Sequence, residues 1–158
     1  MSLRVAYMGT PQIACPSLEA LNKFDDYDVV GVFTQPDRPT GRGKKIQSCA
    51  IKHLAQSLGL NIFQPISLKG AAVEQTIRSL DLDLIVVMAY GRILPQKIID
   101  LSKFGALNIH ASILPRHRGA APIQWAIIEA DNETGVSLKK MDAGMDTRDV
   151  VSTMTKPI

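Results

Sequence analysis

The chain has 158 residues, 46% of them hydrophobic and 21% charged, with a formal net charge of +3. That is one ordinary domain with enough apolar residues for a sizeable core, which excludes a disordered chain. The strongest apolar run, Leu84 to Ala89, is too short to span a bilayer; MSLRVAYMGT lacks a signal peptide's apolar core; Cys15 and Cys49 form no CxxC pair. A protein of the reducing cytoplasm, with no membrane partner, zinc site or disulfide scaffold, is expected.

RVAYM (4–8) opens the chain as a near-continuous apolar strand. Thr10-Pro11 then reads as a helix start, a hydroxyl at the cap and a proline in the first turn, followed by Ala14, Leu18 and Leu21 at helical spacing. VVGVF (29–33) is a second strand. After it, QPDRPTGRGKKIQSCAIK (35–52) sets Arg38, Arg42, Lys44, Lys45 and Lys52 against Asp37 alone. With its two prolines and two glycines the segment reads as a flexible cationic loop able to meet phosphates, although most charge runs are simply solvated surface.

Ile51, Leu54, Ala55 and Leu58 mark a second helix that must stop at Gly59, with His53 off the apolar stripe and exposed. NIF (61–63) is a short strand, and Val73, Ile77 and Leu80 mark a third helix. LIVVM (84–88) and ALNIH (106–110) are strands, separated by a short helix on Leu94, Ile98 and Leu101. Ile123, Ile127 and Ala130 give a fifth helix, and Trp125 and the methionines are assigned to the core. Thr134 to Met141 runs strand-like into a turn carrying Asp142, Asp146 and Asp149. Repeated strand–helix alternation predicts an α/β, Rossmann-like, doubly wound and mostly parallel sheet, whose ligands bind beyond the carboxyl ends of the strands. The first strand is followed by GTPQIA and not GxGxxG, which argues against a dinucleotide site.

The chemistry concentrates in LNIHASILPRHRGAAPIQ (107–124). Strand alternation puts Asn108 and His110 on one face, at the carboxyl end where such a sheet places its site. A neutral imidazole accepts a proton or donates a hydrogen bond near neutral pH, and an amide donates to a developing oxyanion without titrating. Together they suit addition of a nucleophile to a carbonyl; the bland alternative is that both only tie down the next loop. A carboxylate from the 142–149 turn would orient His110 and raise its pKa, but spacing does not choose among the three aspartates. Arg116 and Arg118 could hold an anion or satisfy carbonyls in a tight turn.

FTQPDRPTGRGKK, VVMAYGRILP, LNIHASILPRHRGAAPIQ and TGVSLKKMDAGMDT together resemble the methionyl-tRNA formyltransferases over essentially the whole chain. The N-x-H core is similar to the wider formyltransferase superfamily, including enzymes acting on glycinamide ribonucleotide and sugar nucleotides; the QPDRPTGRGKK segment resembles the transfer-RNA enzymes alone. The resemblance implies a formyltransferase fold and transfer of a formyl group from 10-formyltetrahydrofolate to methionyl initiator tRNA, without a metal. It places the catalytic trio on Asn108, His110 and Asp146. It places folate contacts on Met88, Ala89, Tyr90, Gly91, Ile93 and Leu94 and on Ser112, Ile113, Leu114 and Pro115. Contacts to tRNA fall on Arg38, Arg42, Lys44 and Lys45. It further implies that residues 1–158 are an incomplete N-terminal catalytic domain, a monomer lacking a C-terminal barrel-like tRNA-binding domain. Three positions depart from the resembled pattern: Ala111 and Arg148 stand where glycine is usual, and Lys139 where an apolar residue is usual.

Overall fold

The computed structural model describes residues 2–40, 45–142 and 149–158. Its frame is a seven-stranded sheet. Five parallel strands come first in space: β5 (Ile62–Phe63), β2 (Tyr27–Phe33), β1 (Leu3–Gly9), β6 (Leu84–Met88) and β7 (Ala106–His110). Two antiparallel strands extend that order beyond β7, namely β8 (Glu133–Lys140) and then β9 (Val150–Pro157). The mostly parallel α/β sheet is as the alternation predicts.

Helices cover both faces. On one, α1 (Cys15–Lys23) and α2 (Ala50–Ser57) pack Leu18, Ile51 and Ala55 against Val5, Tyr7, Val86 and Met88. On the other, α3 (Ala71–Ser79) and α4 (Gln96–Ile99) pack Ile77, Ile98 and Ile99 against Ala6, Met8, Ile85 and Val87. Sheet residues divide between the two cores by alternation, which is why strands buried on both faces read as unbroken apolar runs. Because β1 leads outward to β2 and β5 while β6 leads the other way to β7, the winding reverses between β1 and β6, where such sheets open their crevice. Among the described residues no helix is long and apolar enough to cross a membrane.

Several sequence expectations are corrected. Thr10 does not cap α1: its hydroxyl donates to the Tyr90 carbonyl at 3.0 Å, and α1 starts at Cys15 after a 3-10 turn over Gln12–Ala14, with Pro16 in its first turn. The basic segment is not merely a loop, because Arg38–Thr40 (β3) and Lys45–Gln47 (β4) pair as an antiparallel ribbon. The short helix before β7 is a single turn starting after Pro95. Trp125, on α5 (Pro122–Ile128), is 47% exposed and lies outside both cores; so does Met154, at 76%. Gly59 does end α2, at φ +69°. Nothing in the sequence reading anticipates β9: its residues carry no buried face, and its place is fixed by pairing to β8.

Candidate active site

β7 delivers Asn108 and His110 to the carboxyl edge of the sheet. Parallel register sets Val87 of β6 beside Asn108, and antiparallel register sets Lys139 opposite Asn108 and Ser137 opposite His110. Directly opposed residues share a face, so Asn108, His110, Ser137 and Lys139 form one polar patch on the Val87 side of the sheet. Leu107 and Ile109 face away, as alternation predicts.

The His110 side chain is buried. Its Nε2 lies 2.9 Å from the His117 backbone carbonyl. A carbonyl only accepts, so Nε2 carries the hydrogen, and the neutral ring keeps its lone pair on Nδ1. Burial pushes the His110 pKa below the ordinary histidine value; the His117 carbonyl opposes this, and the Lys139 charge adds to it. Asn108 is half-buried, and its amide makes no hydrogen bond among the described residues. Asp146, expected beside His110, lies outside the described residues, as does Arg148.

The loop after β7 is fastened at several points. Ser112 is fully buried and its hydroxyl donates to the Arg116 carbonyl at 2.7 Å. Ser137 donates to the Ser112 carbonyl at 2.8 Å and accepts from the Leu114 amide at 3.1 Å. Arg116 pairs with Asp131 and Glu129, and His117 Nε2 meets Asp131 Oδ2 at 2.6 Å. The Asp131 carboxyl is consequently held well below the usual carboxylate range, chiefly by Arg116 and then by His117. Of the two sequence readings for Arg116, the structure favours a loop-fastening role, through carboxylates. His117, Glu129 and Asp131 are of metal-ligating type and close together, but the guanidinium of Arg116 already occupies both carboxylates.

The expected folate contacts fall in different places. Tyr90 and Leu94 are buried on the Asn108 side of the sheet, whereas Met88 packs into the opposite core. Ala89 and Gly91 are exposed and both left-handed, at φ +49° and +83°, and Ile93 is exposed at the surface. Ile113, Leu114 and Pro115 line a cavity of about 610 Å³ with Asp131, Thr134 and Pro157, and Ile93 lines a separate one with Arg92 and Ile66. The two segments expected to enclose one ligand therefore do not share either cavity. The Tyr90 hydroxyl is buried without a hydrogen-bond partner among the described residues, and burial raises its pKa.

The basic ribbon is anchored at its base. Asp37 takes Lys52, Gln64 at 2.9 Å and Ser48 at 3.2 Å, so Lys52 is bound inside the fold. Gln35 ties the ribbon to the segment after β6, donating to the Tyr90 carbonyl and accepting from Arg92, each at 3.1 Å. Arg38 is exposed; Arg42 and Lys44 lie outside the described residues, and of Lys45 only the backbone pairing is described. Sequence reasoning missed Gln35, Ser137 and Asp131. The one available signal was Ser137, a hydroxyl at an inward position of a strand.

Residues 3–158 match the family model described as formyl transferase. The chain belongs to the formyl transferase family. It is 52% identical over 149 residues to the methionyl-tRNA formyltransferase of Alkaliphilus metalliredigens, covering 94% of this chain and 47% of that protein. Over 156 residues it is 49% identical to the Alcanivorax borkumensis protein of the same name, covering 99% of this chain and again 47% of the relative. The formyl transferase chain thus spans about half the length of the curated relatives it matches. Its fold is shared by the phosphoribosylglycinamide formyltransferase of Anaplasma phagocytophilum, with a TM-score of 0.78 at 21% identity, covering 100% of this chain and 74% of that one.

Proposed function

We propose that this formyl transferase chain moves a formyl group from 10-formyltetrahydrofolate to the amino group of methionyl initiator tRNA, with Asn108 and His110 as the reacting side chains. The observation that carries the reading is the polar patch at the end of β7. It pairs an amide with no hydrogen-bond partner among the described residues with a buried imidazole whose Nε2 is held, and burial favours the neutral ring.

In this mechanism the acceptor amine attacks the formyl carbon, forming a C–N bond and placing negative charge on the formyl oxygen. The Asn108 amide donates to that oxygen, and His110 Nδ1 takes the proton that the amine nitrogen sheds. Returning this proton to the departing folate nitrogen lets the old C–N bond break, which balances the transfer. Asp146 is assigned, by resemblance, to orient the imidazole and help carry the proton. No step calls for a metal. The folate reading is supported by the buried Tyr90 hydroxyl, a polar group that a heterocycle could satisfy. The tRNA reading is supported by the anchored basic ribbon, with Arg38, Arg42, Lys44 and Lys45 assigned to the acceptor end.

Incubating the chain with 10-formyltetrahydrofolate and either methionyl initiator tRNA or an amino sugar nucleotide tests the proposal. Formylmethionyl-tRNA should form in a salt-sensitive reaction. Formylation of the amino sugar alone would overturn the acceptor assignment, and folate binding without transfer to either would overturn the enzyme reading.

A further inference from the structure

We infer that Lys139 is a positioning residue of the reactive centre: its buried ammonium-bearing side chain, across the strand pair from Asn108, sets the potential in which the formyl carbonyl and the His110 imidazole react. The inference rests on the formyl-transfer reading of this site.

Placement carries the argument. β8 has two buried residues, Ser137 and Lys139, and both are polar. Ser137 fastens the loop after β7. Lys139 is 4% exposed, while its neighbour Lys140, on the other face, is exposed. Lysines are almost never fully buried unless something compensates them. Register puts Lys139 directly opposite Asn108, about 5 Å between Cβ atoms for such a pair, and one step diagonally from His110. Among the described residues, the charged groups that act on it include Asp142, just past the end of β8, and Arg118 in the loop after β7. His110 is faced by Lys139 from β8 and by the His117 carbonyl from the loop, His117 itself being paired with Asp131. Burial pushes the Lys139 pKa below the ordinary lysine value; the Asp142 carboxylate opposes this, and Arg118 adds to it.

A cation in this position acts in one direction on three groups. It stabilises the negative oxygen that Asn108 binds, opposes protonation of His110, and favours the uncharged form of the attacking amine. The first and third favour attack, and the second keeps His110 unprotonated and available as the base, though a weaker one. A lysine serving only to fill space or to pair with Asp142 would show none of these couplings.

The test uses the whole chain with Lys139→Met, Lys139→Gln and Lys139→Arg. The His110 ring is titrated by 15N–1H NMR, and single-turnover formyl transfer is measured alongside. Lys139→Met should raise the His110 midpoint by about one pH unit, and Lys139→Arg should leave it nearly in place. Lys139→Met should also slow transfer about tenfold at neutral pH, with donor affinity within about twofold, while Lys139→Arg restores most of the rate. An unmoved His110 midpoint in Lys139→Met, or equal losses with methionine and arginine, would overturn the inference. If Lys139→Met does not fold, an unmoved His110 midpoint in Lys139→Gln overturns it instead. Absence of formyl transfer in the unsubstituted chain would count against the formyl-transfer reading, and the NMR titration would still decide the electrostatic coupling.

Discussion

His110 Nε2 is held 2.9 Å from the His117 carbonyl, and this contact determines which ring nitrogen is left to accept a proton. Burial keeps that ring neutral to lower pH than an ordinary histidine. The folded midpoint is depressed, so the stability that His110 contributes is full above about pH 6.5 and is lost as pH falls through the folded midpoint. The activity profile also carries the titration of the acceptor amine, which must be uncharged to attack, so the ring is read directly. A 15N–1H NMR titration of His110 should give a midpoint below about pH 6.5. A midpoint above that value would contradict a neutral, buried base.

Asn108→Ala removes the amide from the carbonyl's end of β7 while leaving the backbone register to Val87 and Lys139 in place. Loss of one oxyanion donor costs roughly 10²–10³ in kcat. Rapid-quench kinetics should show a loss of that size, with donor affinity, read by fluorescence quenching, nearly unchanged.

The parallel core was legible because strands buried on both faces must be apolar throughout, and β6 and β7 coincide with LIVVM and ALNIH to the residue. Asn108 and His110 stood out for the same reason: two polar groups on one face of such a strand. What escaped the sequence has long-range causes. β9 has no buried face, so no periodicity marks it, and only pairing with β8 creates it. Thr10 looked like a cap but meets Tyr90, 80 positions away. Lys52 counted toward a phosphate-binding cluster until the fold set Asp37 against it. Trp125 was assigned to the core on its size, but it lies on an exposed face of α5, whose buried residue is Ala126.

Asp131 joins Arg116 and His117 and thereby fixes the loop whose carbonyl holds His110. Its carboxyl is depressed in the folded chain, so the pairing stabilises above the ordinary carboxylate value near pH 4 and is lost as pH falls below it. Asp131→Asn should therefore melt below the parent at pH 7, and the gap should start to narrow only below about pH 4, closing as pH falls through the depressed folded value.

Gly135 is required by the β8–β9 pairing, since a Cβ there would overlap the Met154 carbonyl oxygen. Gly135→Ala should destabilise by about 2 kcal/mol or more in urea unfolding, and hydrogen exchange should show β9 amides losing protection first.

Replacing Arg42 and Lys44 with alanine should weaken tRNA binding and reduce the slope of log K against log salt by about one to two, leaving donor binding intact. Filter binding across a salt series reads both quantities; equal loss of donor binding would contradict the ribbon's assignment.

The central claim is that the end of β7 is where the formyl group changes hands. The most direct measurement is single-turnover transfer from 10-formyltetrahydrofolate to methionyl initiator tRNA by the chain and by His110→Ala, with donor binding measured on both. The account predicts transfer by the parent chain, a fall of about 10²–10⁴ in the variant, and donor affinity within a few-fold. Equal transfer rates in parent and variant would contradict it.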